Sequence, residues 1–269
     1  MVHVHSTATV DPEANIEDEA EIGPRCDIRG KVRIAAGTRL IGQVSLRGPL
    51  SIGRGNTIYP QVCIGFAPQS QQFDPTTDGA GTVLGNDNII RECVTIHRAT
   101  GDRPTTVGDR NYLMVNSHLG HDVIMGSDIS LANGATIGGH CVLSNQVLVS
   151  GYGIMHQFCR VGRLGMVGGL VGLAQDLPPF CTAYVTRRVG SLNLIGLRRA
   201  GYRDHIPTLK QAFEILYGQK HSNKTAVELI EKKVGHDPLC MELAQFVRTT
   251  IRGITPYAPS GSPTDDQGV

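Results

Sequence analysis

Residues 16–64 read IEDEAEIGPRCDIRGKVRIAAGTRLIGQVSLRGPLSIGRGNTIYPQVCI, and every sixth residue is aliphatic: Ile16, Ile22, Ile28, Ile34, Leu40, Leu46, Ile52, Ile58 and Ile64. The series reaches back through Val10 to Val4. It resumes at Leu84, Ile90 and Ile96, and again from Val107 through Leu113, Leu119 and Met125 to Leu173 without exception. A period of six describes a coiled chain that buries one residue per flat side. Two positions earlier stands a second, often smaller side chain (Ala8, Ala14, Ala20, Cys26, Thr38, Ser117, Ala135, Cys141, Cys159), which suits a narrow interior. Glycine follows the aliphatic residue at positions such as 23, 53, 85, 120 and 138, where a turn between faces would use its tolerance of positive φ. Three hexads close a triangular coil of 18 residues. Residues i and i+18 then stack about 4.8 Å apart through parallel strand hydrogen bonds, giving an all-β solenoid, a parallel β-helix.

Two stretches break the period, residues 66–82 (FAPQSQQFDPTTDGAGT) and 97–106 (HRATGDRPTT); both read as exposed loops, and their length favours a role as lid or subunit contact. The hexads stop near Asp176, where Leu177-Pro178-Pro179 is a plausible terminator because proline donates no ladder hydrogen bond. Beyond it, segments 193–203, 207–218, 225–234 and 238–252 space apolar residues by three and four, as amphipathic helices do. The expected organisation is therefore a β-helix over 1–190, a small helical domain over 191–254 that covers the open end, and a disordered tail over 255–269. A formal charge of +1 and the absence of Trp give no reason to expect nucleic acid as a partner. No basic-plus-apolar leader and no uninterrupted membrane-length apolar run is present, so the expectation is a cytoplasmic protein with no integral membrane segment. The seven cysteines form no C-x-x-C pair and read as free, largely interior thiols.

Residues that the repeat does not require cluster between 97 and 157: His97, His118, His121, Asp122, His140, His156 and Gln157. One coil of 18 residues puts Gly139 one rung from His121, and His140 one rung from Asp122, with Gly120, Gly138 and His156 forming a further column. A histidine beside a carboxylate, with a glycine backbone one rung away, suits acyl transfer. A neutral imidazole can accept a proton from an attacking hydroxyl, a carboxylate can fix its tautomer, and a backbone N–H can stabilise the oxyanion. The alternative for these histidines is a ladder of solvated corner residues.

The hexads, with IGRGNTIYP, RECVTIHRAT, VGDRNYLMVNSHLGHDV, HQFC, VGGLVGLAQDLPP and NLIGLRRAGYR, make the chain resemble the bacterial UDP-N-acetylglucosamine O-acyltransferases that start lipid A synthesis. The resemblance covers nearly the whole chain. It implies a left-handed winding, a homotrimer, and transfer of a 3-hydroxyacyl chain from acyl carrier protein, whose phosphopantetheine thioester is the donor, to the sugar 3-hydroxyl. No resident cofactor and no metal are implied. His121 would be the general base, Asp122 its orienting carboxylate and Gly139 the oxyanion donor. His118, His140, His156 and Gln157 would line the groove for UDP-sugar and pantetheine, Asn193 and Arg199 would reach it from the helical domain, and Gly169 would gauge acyl-chain length.

The chain also departs from the family. Its first loop carries Pro68-Gln69-Ser70-Gln71-Gln72-Phe73 where the pattern is Pro-Gln-Asp-Leu-Lys-Tyr, so neutral Ser70 and Gln72 occupy the positions of a carboxylate and an ammonium that contact the acceptor. Ile195 and Ala200 replace a glutamate and an arginine, and the stretch 183–188 lacks the usual Gly-Asn step while offering Arg187 and Arg188. These differences leave the acceptor open between UDP-N-acetylglucosamine and a related UDP-amino-sugar. An N-acyltransferase on a UDP-glucosamine, a catalytically altered or silent solenoid, and a zinc enzyme of the carbonic-anhydrase type are the competing readings. A three-histidine zinc site gives no reason for HQFC or for AQD-x-PP.

Overall fold

The computed structural model describes residues 1–184, 187–218 and 221–258, and in them the hexads wind into three long faces. The strands are two to four residues long and collect into sheets of eleven, nine and eight strands. Every neighbouring pair is parallel until the last, where Ser191–Leu192 runs antiparallel to Cys181–Ala183. The register advances by 18 residues per rung, as in Ile22↔Leu40 and Leu119↔Ile137. From Ile22 to Leu173 the hexad aliphatics fill the interior at no more than 2 % exposure, whereas Val4 at the open N-terminal end is 42 % exposed. Each such burial contributes on the order of 1.5–3 kcal/mol.

Gly65, at φ +82°, takes the positive dihedral the sequence suggests, but most of the glycines after the aliphatics have a different cause. Positive φ falls three residues after the aliphatic, mostly on other residue types such as Asp87, Asn116, Asp122 and His140. The glycines instead admit the neighbouring rung: a Cβ on Gly23 would stand 2.3 Å from the Ile41 carbonyl oxygen, and one on Gly108 would stand 2.6 Å from that of Gly126. Coil spacing, rather than dihedral freedom, excludes a side chain there.

One column of the interior is polar. Thr38, Asn56, Asn88 and Asn111 are at most 1 % exposed and sit two residues before their aliphatics. Thr38 Oγ1 accepts from the Asn56 N–H at 3.1 Å, Asn56 Oδ1 from the Asn88 N–H and Nδ2–H at 2.9 Å each, Asn88 Oδ1 from the Asn111 N–H at 2.9 Å, and Asn111 Oδ1 from the Ile129 N–H at 2.9 Å. Side-chain amides thereby satisfy backbone donors at a bend that has no strand partner for them.

Both loops leave the same corner. Ile58 pairs with Ile90 and Ile90 with Leu113, so the rungs on either side stay aligned although 32 and then 23 residues separate the partners. The first loop spans 67–81, since Phe66 and Thr82 belong to strands, and its outer part is exposed. The second, 98–104, is only partly exposed. Arg98 is 7 % and Ala99 0 % accessible. The Arg98 guanidinium turns inward because it donates to the carbonyls of Gly65, Pro75 and Thr77 at 3.2, 2.8 and 2.7 Å, tying the first loop down.

The prolines at 178 and 179 do not end the solenoid. Leu177 still bridges Val161, and Cys181–Ala183 adds a further parallel strand to Met166–Val167 before Ser191–Leu192 closes that edge. The helical segment consists of α1 (Leu194–Arg199), α2 (Ile206–Phe213), continuing as a π-turn over Glu214–Gly218, α3 (Asn223–Val234) and α4 (Pro238–Arg248). Arg163 fastens it to the last coils by donating to Glu242 and to the Tyr202 hydroxyl, and Arg160 bonds buried Asp176 and the Phe246 carbonyl. The chain is ordered past 255: Thr255 is 1 % exposed, Ile254 bridges Asp176 and Tyr257 bridges Val189. Tail residues 259–269 lie outside the described residues, as do Val185 and Thr186 of the 183–188 stretch. Among the described residues no helix is long and apolar enough to cross a membrane, and all seven cysteines are free, with Cys63 and Cys93 only half-buried.

Candidate active site

The rung arithmetic puts His121 against Gly139. A Cβ on Gly139 would lie 2.7 Å from His121 Cε1 and 2.8 Å from Nε2, so the imidazole rests directly on that backbone. The next rung is fixed by the His140 N–H donating to the His121 carbonyl at 2.9 Å. His121 Nδ1 stands 2.7 Å from Asp122 Oδ2. Burial alone would raise the Asp122 carboxyl, but hydrogen bonds from Thr100, His121 and Gly101 hold it below the usual carboxylate value of 3.8. An ionised carboxylate only accepts, so Nδ1 carries a proton, and the neutral tautomer that fits this arrangement has its lone pair on Nε2.

His140 Nε2 lies 3.6 Å from the same Asp122 oxygen, and its ring stacks on Phe158 with centroids 4.5 Å apart. One ligand atom each from His121, Asp122 and His140 falls within 4.8 Å of the others, a set that could hold a divalent metal. The Asp122 oxygens already accept from His121, Thr100 and Gly101, however, and a cation would have to displace those donors.

A groove of about 300 Å³ opens beside His121, lined by Gln69, His97, His118, Gly120, Thr136, Gly138, Gly139 and Gln157. His97 Nδ1 donates to the Ala67 carbonyl at 2.6 Å, which draws the first loop to the groove. His118 Nδ1 pairs with Thr95 Oγ1 at 2.7 Å. Burial, with His97 and His121 close by, pushes His118 down to about 4. It is therefore neutral throughout the physiological range, and His97 is lowered for the same main reason, burial.

The sign of the His118 shift gives a stability prediction. As pH falls below its ordinary 6.5 the unfolded chain takes the proton first, so native stability declines until about pH 4 and levels off below that. The urea midpoint of the native chain is expected to fall over that window, and more shallowly in His118→Gln. Identical slopes would remove His118 as a contributor.

The sequence-derived site divides into two places within one chain. His118, His121, Gly139 and Gln157 line the groove, with Asp122 and His140 immediately behind. His156 lies exposed next to Gln157, its Nδ1 donating to the Gln157 carbonyl at 3.1 Å. Asn193 and Arg199 instead line a second cavity of about 640 Å³ with Leu164, Met166, Tyr184 and Ile195. The Asn193 side chain is committed there as the cap of α1, accepting from the Gly196 N–H at 2.9 Å and donating to the Leu164 carbonyl at 2.9 Å. Ser70 is half-buried and Gln72 exposed, and it is Gln69 of that loop that lines the groove. Gly169 is exposed, and a Cβ on it would meet only the Gly151 carbonyl at 3.6 Å, an ordinary contact. Sequence reasoning missed Gln69, Thr136 and Thr100. Gln69 is an unaltered neutral amide beside Ser70, where a charge is lost, so composition gives it no signal of its own.

Solenoid and site together place the chain among the acyltransferases built on hexapeptide repeats. Residues 176–255 match a family model described as UDP-N-acetylglucosamine O-acyltransferase, domain 2. The acyl-[acyl-carrier-protein]–UDP-N-acetylglucosamine O-acyltransferase of Thermodesulfovibrio yellowstonii is 40 % identical over 260 residues, covering 94 % of this chain and 99 % of its own. That of Campylobacter concisus is 35 % identical, with 94 % and 97 % covered. The structure of the UDP-N-acetylglucosamine acyltransferase from Francisella novicida superposes with a TM-score of 0.90 at 32 % identity, over 95 % of this chain and 94 % of its own. The chain belongs to the acyl-[acyl-carrier-protein]–UDP-N-acetylglucosamine O-acyltransferase family.

Proposed function

We propose that this chain moves an acyl group, a 3-hydroxyacyl chain in the reading that the resemblance implies, from the phosphopantetheine thioester of acyl carrier protein to the 3-hydroxyl of UDP-N-acetylglucosamine, in the cytoplasm and as the first step of lipid A synthesis. The observation that carries the mechanism is the His121–Asp122 hydrogen bond of 2.7 Å with Gly139 against the Cε1 and Nε2 atoms of the ring. His121 Nε2 removes the hydroxyl proton as the oxygen attacks the thioester carbonyl. Gly139 N–H receives the developing oxyanion, and collapse of the tetrahedral intermediate forms the ester and expels the thiolate, which takes the proton back from His121. Protons balance, and neither a resident cofactor nor a metal enters. His118, His140, His156 and Gln157 serve substrate binding, with Gln69, Ser70 and Gln72 offering neutral contacts to the sugar from the first loop. Gly169 leaves space for the acyl chain. Asn193 and Arg199 sit in the separate cavity of a single chain, so their contribution to this groove is supplied across a subunit boundary in a homotrimer. Arg199 then offers a planar fork suited to diphosphate oxygens.

The test is to incubate the purified protein with a 3-hydroxyacyl carrier protein and UDP-N-acetylglucosamine, and in parallel with a UDP-amino-sugar bearing an amine at the acceptor position. Mild alkali cleaves an ester and leaves an amide. An alkali-labile product from UDP-N-acetylglucosamine is expected. An alkali-stable product formed only from the amino-sugar would transfer the assignment to N-acylation, and no product from either would sink it.

A further inference from the structure

Asp122 is held by a short segment that the hexad repeat does not supply. The Thr100 N–H lies 3.1 and 3.0 Å from its two carboxylate oxygens, the Gly101 N–H 3.0 Å from Oδ1, and the Thr100 hydroxyl 2.6 Å from Oδ2. From the strand that follows, Thr105 Oγ1 accepts the Asp122 backbone N–H at 2.8 Å. Thr100 and Gly101 belong to the second loop, the one whose arginine ties down the first. A coil without that insertion would have no residue in position to make these bonds.

The oxygen that receives the Thr100 hydroxyl is the one that receives His121 Nδ1, and His140 Nε2 stands 3.6 Å from it as a competing donor. A carboxylate free to turn could engage either imidazole. Two short hydrogen bonds on one oxygen, with two backbone N–H groups completing the pair, leave it a single orientation. We infer that Thr100 is a positioning residue for the transfer reaction: its hydroxyl fixes the Asp122 rotamer that directs the carboxylate to His121 rather than to His140. The second loop is then part of the catalytic apparatus, acting from behind the base without touching substrate. This rests on the acyl-transfer reading above, with His121 as base.

Thr100→Val tests it with little change of shape, because both backbone N–H donors survive and only the hydroxyl is lost. The kcat for acyl transfer is expected to fall roughly tenfold, the effect of removing one hydrogen bond to a charged group, with KM for sugar and thioester unchanged. Thr100→Ser restores the hydroxyl and is expected to recover kcat to within about twofold of the native enzyme. In an Asp122→Asn background, Thr100→Val is expected to have no further effect, since a residue acting through Asp122 has nothing left to orient. An unchanged kcat, a serine variant as slow as valine, or a full additional loss in the Asp122→Asn background would each overturn the inference. Should valine impair folding, Thr100→Ala against Thr100→Ser makes the same comparison. Failure of the underlying reading is distinguishable: His121→Ala would then remain active, whereas an inactive His121→Ala beside a fully active Thr100→Val removes only the role of Thr100.

Discussion

Replacing His121 by alanine is expected to lower kcat for acyl transfer by roughly 10²- to 10⁴-fold, the range over which a positioned general base accelerates proton transfer. The groove should survive the change, because His121 contributes no interior side chain: the neighbouring Leu119 and Val123 fill the core, and the rung is held by the backbone bond from His140 to the His121 carbonyl. Binding of UDP-N-acetylglucosamine, measured by calorimetry, should therefore change little while turnover collapses. That split separates a base from a mere wall of the groove, whose loss would raise KM and leave kcat in place. Retained turnover in His121→Ala would eliminate this residue as the base.

The largest effect on stability is expected inside the polar column. Asn88→Ala leaves the buried Asn111 N–H without its acceptor, removes the Nδ2 donor to Asn56 and opens a small cavity. An orphaned buried donor costs about 1–3 kcal/mol, and the lost bond with its cavity adds on the order of another 1–2 kcal/mol. Asn88→Thr should cost less than half as much, because Thr38 one rung away from Asn56 shows that a hydroxyl at this position accepts the N–H of the next rung. Urea unfolding of the two variants against the native chain decides the point. Equal losses for alanine and threonine would show that a hydroxyl does not replace the amide as acceptor and that the Nδ2 donor to Asn56 matters instead.

The scaffold was legible because a six-residue period leaves few ways to bury one aliphatic residue per side, and the same counting brought His121 to Gly139 and Asp122 to His140. The legible part ended where geometry stopped being periodic. A glycine after an aliphatic suggests positive φ, which holds at Gly65, whereas elsewhere the left-handed dihedral falls two positions later, on Asp122 and His140 among others. Only the neighbouring coil, invisible in a linear pattern, shows that a Cβ would strike a carbonyl. The 97–106 stretch read as an exposed loop from its polarity, yet Arg98 is buried by carbonyls of a loop some twenty residues earlier in the chain. The roles of Thr100 and Gln69 depend on how irregular backbone folds back on the coil, and no periodicity encodes that. The resemblance gives Asn193 a substrate contact, and the structure adds a second role that no spacing encodes, the cap of α1.

The asparagine column spans both interruptions from the next corner of the coil, linking Asn56 to Asn88 and Asn88 to Asn111 although a loop intervenes each time. Distance along the solenoid axis is consequently counted in coils and not in residues, and the length of the first loop's exposed outer part is a free parameter. Lengthening or exchanging the outer part of the first loop alters the rim of the groove around Gln69 without changing the height of His121 relative to Gly139. For an engineer this makes the molecule a socket with a fixed catalytic plane and an interchangeable rim, where the outer part of the first loop can be exchanged for that of a relative as long as carbonyls remain to receive His97 and Arg98.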